Sequence, residues 1–290
     1  MDGRRGLRVT CDTRNEFTSG CFLSAGAAQC DVTCDVEVSM FDFLGSAPRD
    51  RIDPSPLTQV VAQIKFPSQR ALSSADGVSE LHEKLALDYP RMLPEPQVVI
   101  TAGPHGASSA EVPRWRFTDL NGAWSVVLTA ESLQVETTRY STWGEMQDRL
   151  DRALTSLTDT VDFRVCERLG LRYINEVPAD ADGGFEGLVR LPLLGFVQDP
   201  AWRRNLQAYM CQTQVVEGET RLFLRHGTGP SVVVDSTKYI IDIECSREKP
   251  AEFSASDVLD NLTEMNDVCL RCFYACMESD FETRMPVGEG

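Results

Sequence analysis

Residues 124 to 161 read W-S-V-V-L-T-A-E-S-L-Q-V-E-T-T-R-Y-S-T-W-G-E-M-Q-D-R-L-D-R-A-L-T-S-L-T-D-T-V. Trp124 to Thr129 is an apolar strand, Ala130-Glu131-Ser132 turns, and Leu133, Val135 and Thr137 alternate with Gln134, Glu136 and Thr138 in a returning strand. Thr142 with Glu145 forms the pattern of a capping box, which opens a helix. Trp143, Met146, Leu150, Leu154, Leu157 and Val161 then recur at steps of three and four, an apolar stripe that has to lie on an apolar surface. Strand, turn, strand and amphipathic helix in this order predict an α+β fold with antiparallel strands.

Working upstream, Asn121-Gly122 is a hairpin signal because both residues tolerate positive φ. Arg114 to Asp119 supplies the preceding strand of a meander. Gly103 to Val112 reads as a flexible loop, Val98 to Thr101 as a short strand and Val78 to Tyr89 as a helix capped by Asp76 or Ser79. Leu57 to Phe66 alternates Val60, Ala62, Ile64 and Phe66 with Gln59, Gln63 and Lys65, the pattern of a half-buried strand. Residues 1 to 52 are rich in Gly, Ser, Thr and Cys without sustained periodicity and read as a loosely attached leader. Their Cys11, Cys21, Cys30 and Cys34 lack the paired C-x2-C spacing of structural zinc sites, so a zinc-binding extension is the lesser reading.

Downstream, Val165 to Leu169 reads as a helical turn and Arg168 to Val177 as a strand. Asn205 to Val216 and Arg221 to His226 form a hairpin about Glu217-Gly218-Glu219, followed by short apolar Ser231 to Asp235 and alternating Tyr239 to Cys245. Ser254 with Asp257 opens a second long helix, on which Val258, Leu262, Met265, Cys269, Cys272 and Cys276 make one stripe. These cysteines read as core, since cysteine packs as a small hydrophobe and no histidine accompanies them. The pattern predicts antiparallel sheets each backed by a long amphipathic helix, arranged as two pseudo-equivalent halves, residues 53–180 and 181–290.

The 290 residues carry 28 basic and 44 acidic side chains, a formal charge of −16 that opposes non-specific binding to phosphate backbones. No run approaches the roughly 18 apolar residues of a membrane span, and no apolar core follows the N-terminal arginines as in a signal peptide. A cytoplasmic address, with reduced cysteines, is the expectation.

Chemistry-bearing candidates are sparse. Of the three histidines, His82 and His105 read as solvated, and His226 sits where a strand meets a glycine turn. Polar residues on core-building strands stand out more: Arg139 and Tyr140, then Arg172, Tyr173, Asn175 and Glu176, then Asp242, Glu244 and Arg247. Alternation alone places such residues on the solvated face of a sheet. Turned inward, they would line a cleft for an anionic or zwitterionic ligand, the arginines supplying bidentate contacts. Candidate binding residues are therefore Arg139, Tyr140, Arg172, Tyr173, Glu176, His226, Asp242, Glu244 and Arg247, with no catalytic residue, metal ligand or cofactor motif expected.

P-L-T-Q-V-V-A-Q-I-K-F-P at 56–67, W-R-F at 115–117, V-E-T-T-R-Y-S-T-W at 135–143, E-R-L-G-L-R-Y-I-N-E-V at 167–177 and the closing helix resemble a sporadically distributed, largely actinobacterial family. Its members have about 250 residues, within the single-domain range. The resemblance covers residues 55 to 285 and implies no activity or catalytic residue, only that the leader lies outside the shared domain; patchy distribution fits accessory or defence gene cassettes. The leading functional expectation is a non-enzymatic protein recognising a partner protein or peptide through a sheet face, a sheet edge or a cleft. The alternative is a metal-dependent enzyme on phosphoryl or nucleotide compounds, with Glu136, Glu176, Asp242 and Glu244 on the metal and Arg139 and Arg172 on the phosphates.

Overall fold

The alternation in Leu57–Lys65 builds the strand at the centre of the fold. A computed structural model describes residues 40–49, 52–103, 106–180, 183–229 and 238–285, all within the unit Ser39–Gly290. In chain order the first strands are β1 (Leu57–Lys65), β2 (Arg91–Pro94), β3 (Gln97–Gly103), β4 (Gly106–Val112), β5 (Arg114–Thr118), β6 (Trp124–Thr129) and β7 (Ser132–Thr137). They continue as β8 (Val165–Cys166), β9 (Arg168–Pro178), β10 (Tyr209–Glu217), β11 (Thr220–Gly229), β12 (Lys238–Arg247) and β13 (Ala251–Glu252). The helices are α1 (Ala75–Leu85), α2 (Trp143–Thr158), α3 (Leu191–Leu194), α4 (Pro200–Arg203), α5 (Ala255–Cys276) and α6 (Phe281–Arg284). None among the described residues is long and apolar enough to cross a membrane.

Nine strands form one antiparallel sheet in the order β10-β11-β12-β9-β1-β7-β6-β5-β2, and β3 with β4 and β8 with β13 make two small pairs. Separate sheets were expected; a single one forms because β1 pairs on both sides, Val60 lying opposite Thr137 of β7 and Tyr173 of β9. Period-two alternation then sorts the side chains. Val60, Ala62 and Ile64, Leu133 and Val135, Leu171 and Tyr173, and Ile241, Ile243 and Cys245 are buried on one face. Their neighbours Gln63, Glu136, Arg172, Asp242 and Glu244 stand on the other.

The cap of α5 follows the sequence, and those of α2 and α1 each differ in one respect. Thr142 Oγ1 accepts from Glu145 N at 3.2 Å, but the Glu145 carboxylate turns to Ser141 and Arg149, so only half of the expected box forms. Ser254 caps α5 through Asp257 N, and Ser74, rather than Asp76 or Ser79, caps α1 through Gly77 N. The Arg149 guanidinium, 4.3 Å from the ring centroid of Trp124, covers that ring.

Three local expectations are corrected. The stretch read as a loop between 103 and 112 contains β4, whose Ala110 and Ser109 pair with Val99 and Ile100; weak strand formers are held there by the ladder itself. Val165 and Cys166 are strand, not a helical turn, because they pair with Ala251 and Glu252. Phe41 belongs to the core rather than to a loose leader: it is fully buried, and Arg271 of α5 donates to the carbonyl oxygens of Met40 and Phe41. Ser231 to Asp235, His105 and the four N-terminal cysteines lie outside the described residues.

Cys269, Cys272 and Cys276 are buried and, like Cys166, Cys211 and Cys245, free thiols. Burial pushes Cys245 up to about 12 and Cys166 up to about 11, and holds Cys269 well above the ordinary thiol range. Thiolate, the reactive form, is therefore suppressed in the native state. Mass-mapped alkylation at mildly alkaline pH should modify half-exposed Cys211 first and leave Cys245 and Cys269 untouched until denaturant is added; equal native rates would contradict the burial.

Candidate functional site

Register first decides what the polar face of the sheet can do. Asp242 on β12 lies opposite Arg225 of β11 and, on the other side, diagonal to Arg172 of β9, whose direct partner in register is Glu244. Its carboxylate accepts from Arg172 Nε and Nη2, both at 2.7 Å, and from Arg225 Nη2 at 2.6 Å, while its side chain is only 4% exposed. The Asp242 hydrogen bonds raise the Arg172 pKa. Arg168 bonds Gln63 at 2.9 Å and also Glu244, Lys238 bonds Glu176 at 2.6 Å, and Arg116 bridges Glu95 and Glu136.

Arg172, Glu176, Asp242 and Glu244 are thus brought onto one face, as alternation predicts, but as a ladder of internal ion pairs. Each of these charges is paired along the sheet: Arg172 and Arg225 with Asp242, Arg168 with Glu244 and Lys238 with Glu176. The same pairing separates Glu136, Glu176, Asp242 and Glu244, and no group of three or more His, Cys, Asp or Glu side chains converges among the described residues.

The remaining nominated residues scatter. His226 is not at a strand end but inside β11, 5% exposed. Tyr239 Oη gives its proton to Leu193 O at 2.7 Å, so His226 Nδ1, 2.8 Å from that oxygen, carries the proton of the other hydrogen bond. Burial lowers the His226 pKa and keeps the ring neutral. Arg247 ties Thr220 to Glu264 of α5 at 3.0 and 2.7 Å, a structural brace. Arg139 is exposed after β7, its amide donating to Thr137 Oγ1 at 3.0 Å. His82, expected to be solvated, stacks on Phe117 at 5.5 Å between ring centroids.

Tyr140 and Tyr173 meet elsewhere, on the helix side of the sheet, in a cleft of about 330 Å³. The residue after the strand turn, Tyr140, stands edge-on to Tyr173 with ring centroids 5.8 Å apart. The Thr142 cap fixes the first turn of α2, placing Trp143 on the wall, and Trp143 Nε1 donates to Thr263 Oγ1 of α5 at 3.1 Å. Cys269, Leu270 and Phe273 of α5 form a second wall, and Ile52, Pro56 and Leu57 form a third. The walls are held to one another by Tyr173 Oη, which donates to Asn266 Oδ1 at 2.6 Å.

Two side-chain amides on the lining each offer an atom to a ligand. Asn175 Nδ2 donates to Ile241 O at 3.1 Å, leaving Oδ1 as an acceptor, and Asn266 Oδ1 accepts from Tyr173, leaving Nδ2 as a donor. Burial raises the pKa values of Tyr140, Tyr173 and Cys269, so their protons stay on at neutral pH. Arg49, at 2.9 Å from Asp267, is the one charged side chain lining the cleft among the described residues. Among the described residues no carboxylate, imidazole or amine lines it, and its aromatic walls and amide groups suit binding by shape and paired hydrogen bonds.

Trp143, Asn266 and Phe273 were not nominated by sequence, because helix spacing puts them along or beside the two apolar stripes. Asn266 carried a usable signal: with Leu262, Met265 and Cys269 it completes an i, i+3, i+4, i+7 set, where an amide is out of place in a core. No protein-family model and no curated protein matches the chain.

Proposed function

We propose that the protein is a non-enzymatic binding protein that recognises a segment of a partner protein, seating one large apolar side chain of that segment in the cleft between Tyr140, Trp143, Tyr173 and Phe273. The observation that carries this reading is the cleft itself: aromatic walls, one amide acceptor and one amide donor, and among the described residues no carboxylate, imidazole or amine. A volume of about 330 Å³ suits one bulky side chain with its flanking backbone. Asn175 Oδ1 and Asn266 Nδ2 match the N–H and C=O of a peptide unit. The formal charge of −16 favours partners whose surrounding surface is basic.

The same proposal places the protein in the cytoplasm, as a member of the sporadic actinobacterial family named above and within an accessory or defence cassette. It also treats the chain as two pseudo-equivalent sheet-plus-helix halves. The order β1-β7-β6-β5, followed in sequence by α2, beside β9-β12-β11-β10, followed by α5, supports that view with the division before β9 rather than at residue 180.

Panning a displayed random-peptide library against the intact chain tests the function. The enriched peptides should share a Trp, Phe, Leu or Met anchor, and should be lost on Leu270→Trp, which fills the cleft without removing a hydrogen bond. Absence of enrichment over Leu270→Trp sinks the reading; retention of small aromatic compounds alone would reassign the cleft to a metabolite.

A further inference from the structure

The two edges of the nine-stranded sheet are built differently. At one end β2 has four residues, begins after Pro90 and closes with Pro94, so it is short and its last residue offers no donor. At the other end β10, Y-M-C-Q-T-Q-V-V-E, runs nine residues in unbroken register with β11 from Tyr209↔Thr228 to Glu217↔Thr220. It carries no proline and no lysine, and its one charge is turned away, Glu217 Oε2 accepting from Phe41 N at 2.7 Å. Among the described residues no strand covers this edge, and open edges of this length are templates for pairing with another strand.

We propose that the occupant of this edge is a second copy of the same chain, joined by antiparallel β10–β10 pairing about a twofold axis at Thr213. That register is self-complementary. Met210 and Val216, 44% and 59% exposed, stand on the same face of β10. Centring the axis on Thr213 sets Met210 against Val216 of the second copy, and Gln212 against its Gln214, apolar on apolar and amide on amide. Phe196 and Trp202, 52% and 56% exposed with ring centroids 4.9 Å apart, sit beside Tyr209, where the hairpin end of the second copy arrives. No like charges face each other across the axis, so the repulsion between two chains of −16 is long-range and screened by salt.

Sedimentation and light scattering of the full chain over micromolar concentrations test this. The expected mass is twice the 32.2 kDa of one chain, with tighter association as salt rises from about 0.05 to about 0.5 M, the range over which the Debye length shrinks to a few ångströms. Met210→Lys and Val216→Glu should each weaken the dimer about tenfold, through loss of two symmetric cross-strand contacts. Combining them in one chain should restore it, because the proposed register pairs each lysine with a glutamate. A wild-type monomer at every concentration overturns the proposal, as does a dimer indifferent to both single changes. A double variant no better than the singles overturns the register. Circular dichroism of the diluted variants separates loss of pairing from loss of fold.

Discussion

Replacing Gly227 by alanine is expected to lower the unfolding free energy by about 2–4 kcal/mol and to free β10 from the sheet. Gly227 has φ +149°, where L side chains are strained, and a Cβ there would meet Tyr209 O at 1.8 Å and Met210 Cα at 2.9 Å. Both are backbone atoms of the neighbouring strand, so no rotamer change relieves the contact. Gly218, with φ +59° and open space around its Cβ position, is the control. Its alanine variant should cost only about 1 kcal/mol, the left-handed conformational penalty. Denaturant midpoints and amide exchange along β10 measure the difference; equal effects at the two glycines would contradict the close approach of β10 and β11.

Asp242→Ala is the second large expected effect. It removes the carboxylate held between Arg172 and Arg225 and leaves two guanidiniums without their shared counter-charge on β9 and β11, the strands that flank β12. Removing one partner of a fully buried pair costs about 3–5 kcal/mol, but the two arginines are 38% and 39% exposed, so water takes up part of the loss and about 1–3 kcal/mol is expected. Arg172→Ala alone should cost less, since Asp242 retains Arg225. A double-mutant cycle between Asp242 and Arg172 should show coupling well above the scatter of independent sites. Additive effects would mean that the ladder holds nothing together.

What the sequence made legible follows from range. The strand-turn-strand-helix unit at 124–161 is written in local terms, alternation, a cap and a stripe, and all of these are visible within a dozen residues. The same alternation placed Arg172, Glu176, Asp242 and Glu244 on one face. Their partners are set by register between strands up to 76 residues apart, as with Arg168 and Glu244, and register is not a local property. The pairing of β1 with both β7 and β9 is equally remote, which is why one sheet was expected as two.

Phe41 escaped because the apolar cluster M-F-D-F-L at 40–44 is too short to show a periodicity. The cleft escaped for a different reason. Trp143 and Phe273 look like any residue of an apolar stripe, and only the gap between α2, α5 and the entering chain turns them from core into wall. Tyr140 and Tyr173 were picked out as polar residues at strand positions; the structure puts them at the cleft, on the face opposite the arginines they were grouped with.

The most direct test of the proposed function is a map of amide and side-chain chemical shifts of the full chain while a library-selected peptide is added. The expected result is a set of perturbations confined to the cleft, at Tyr140 to Trp143, Asn175 and Asn266 to Phe273, with the Asn266 side-chain amide among the largest. Perturbations at the Arg172–Asp242 face or along β10, with the cleft silent, would contradict it.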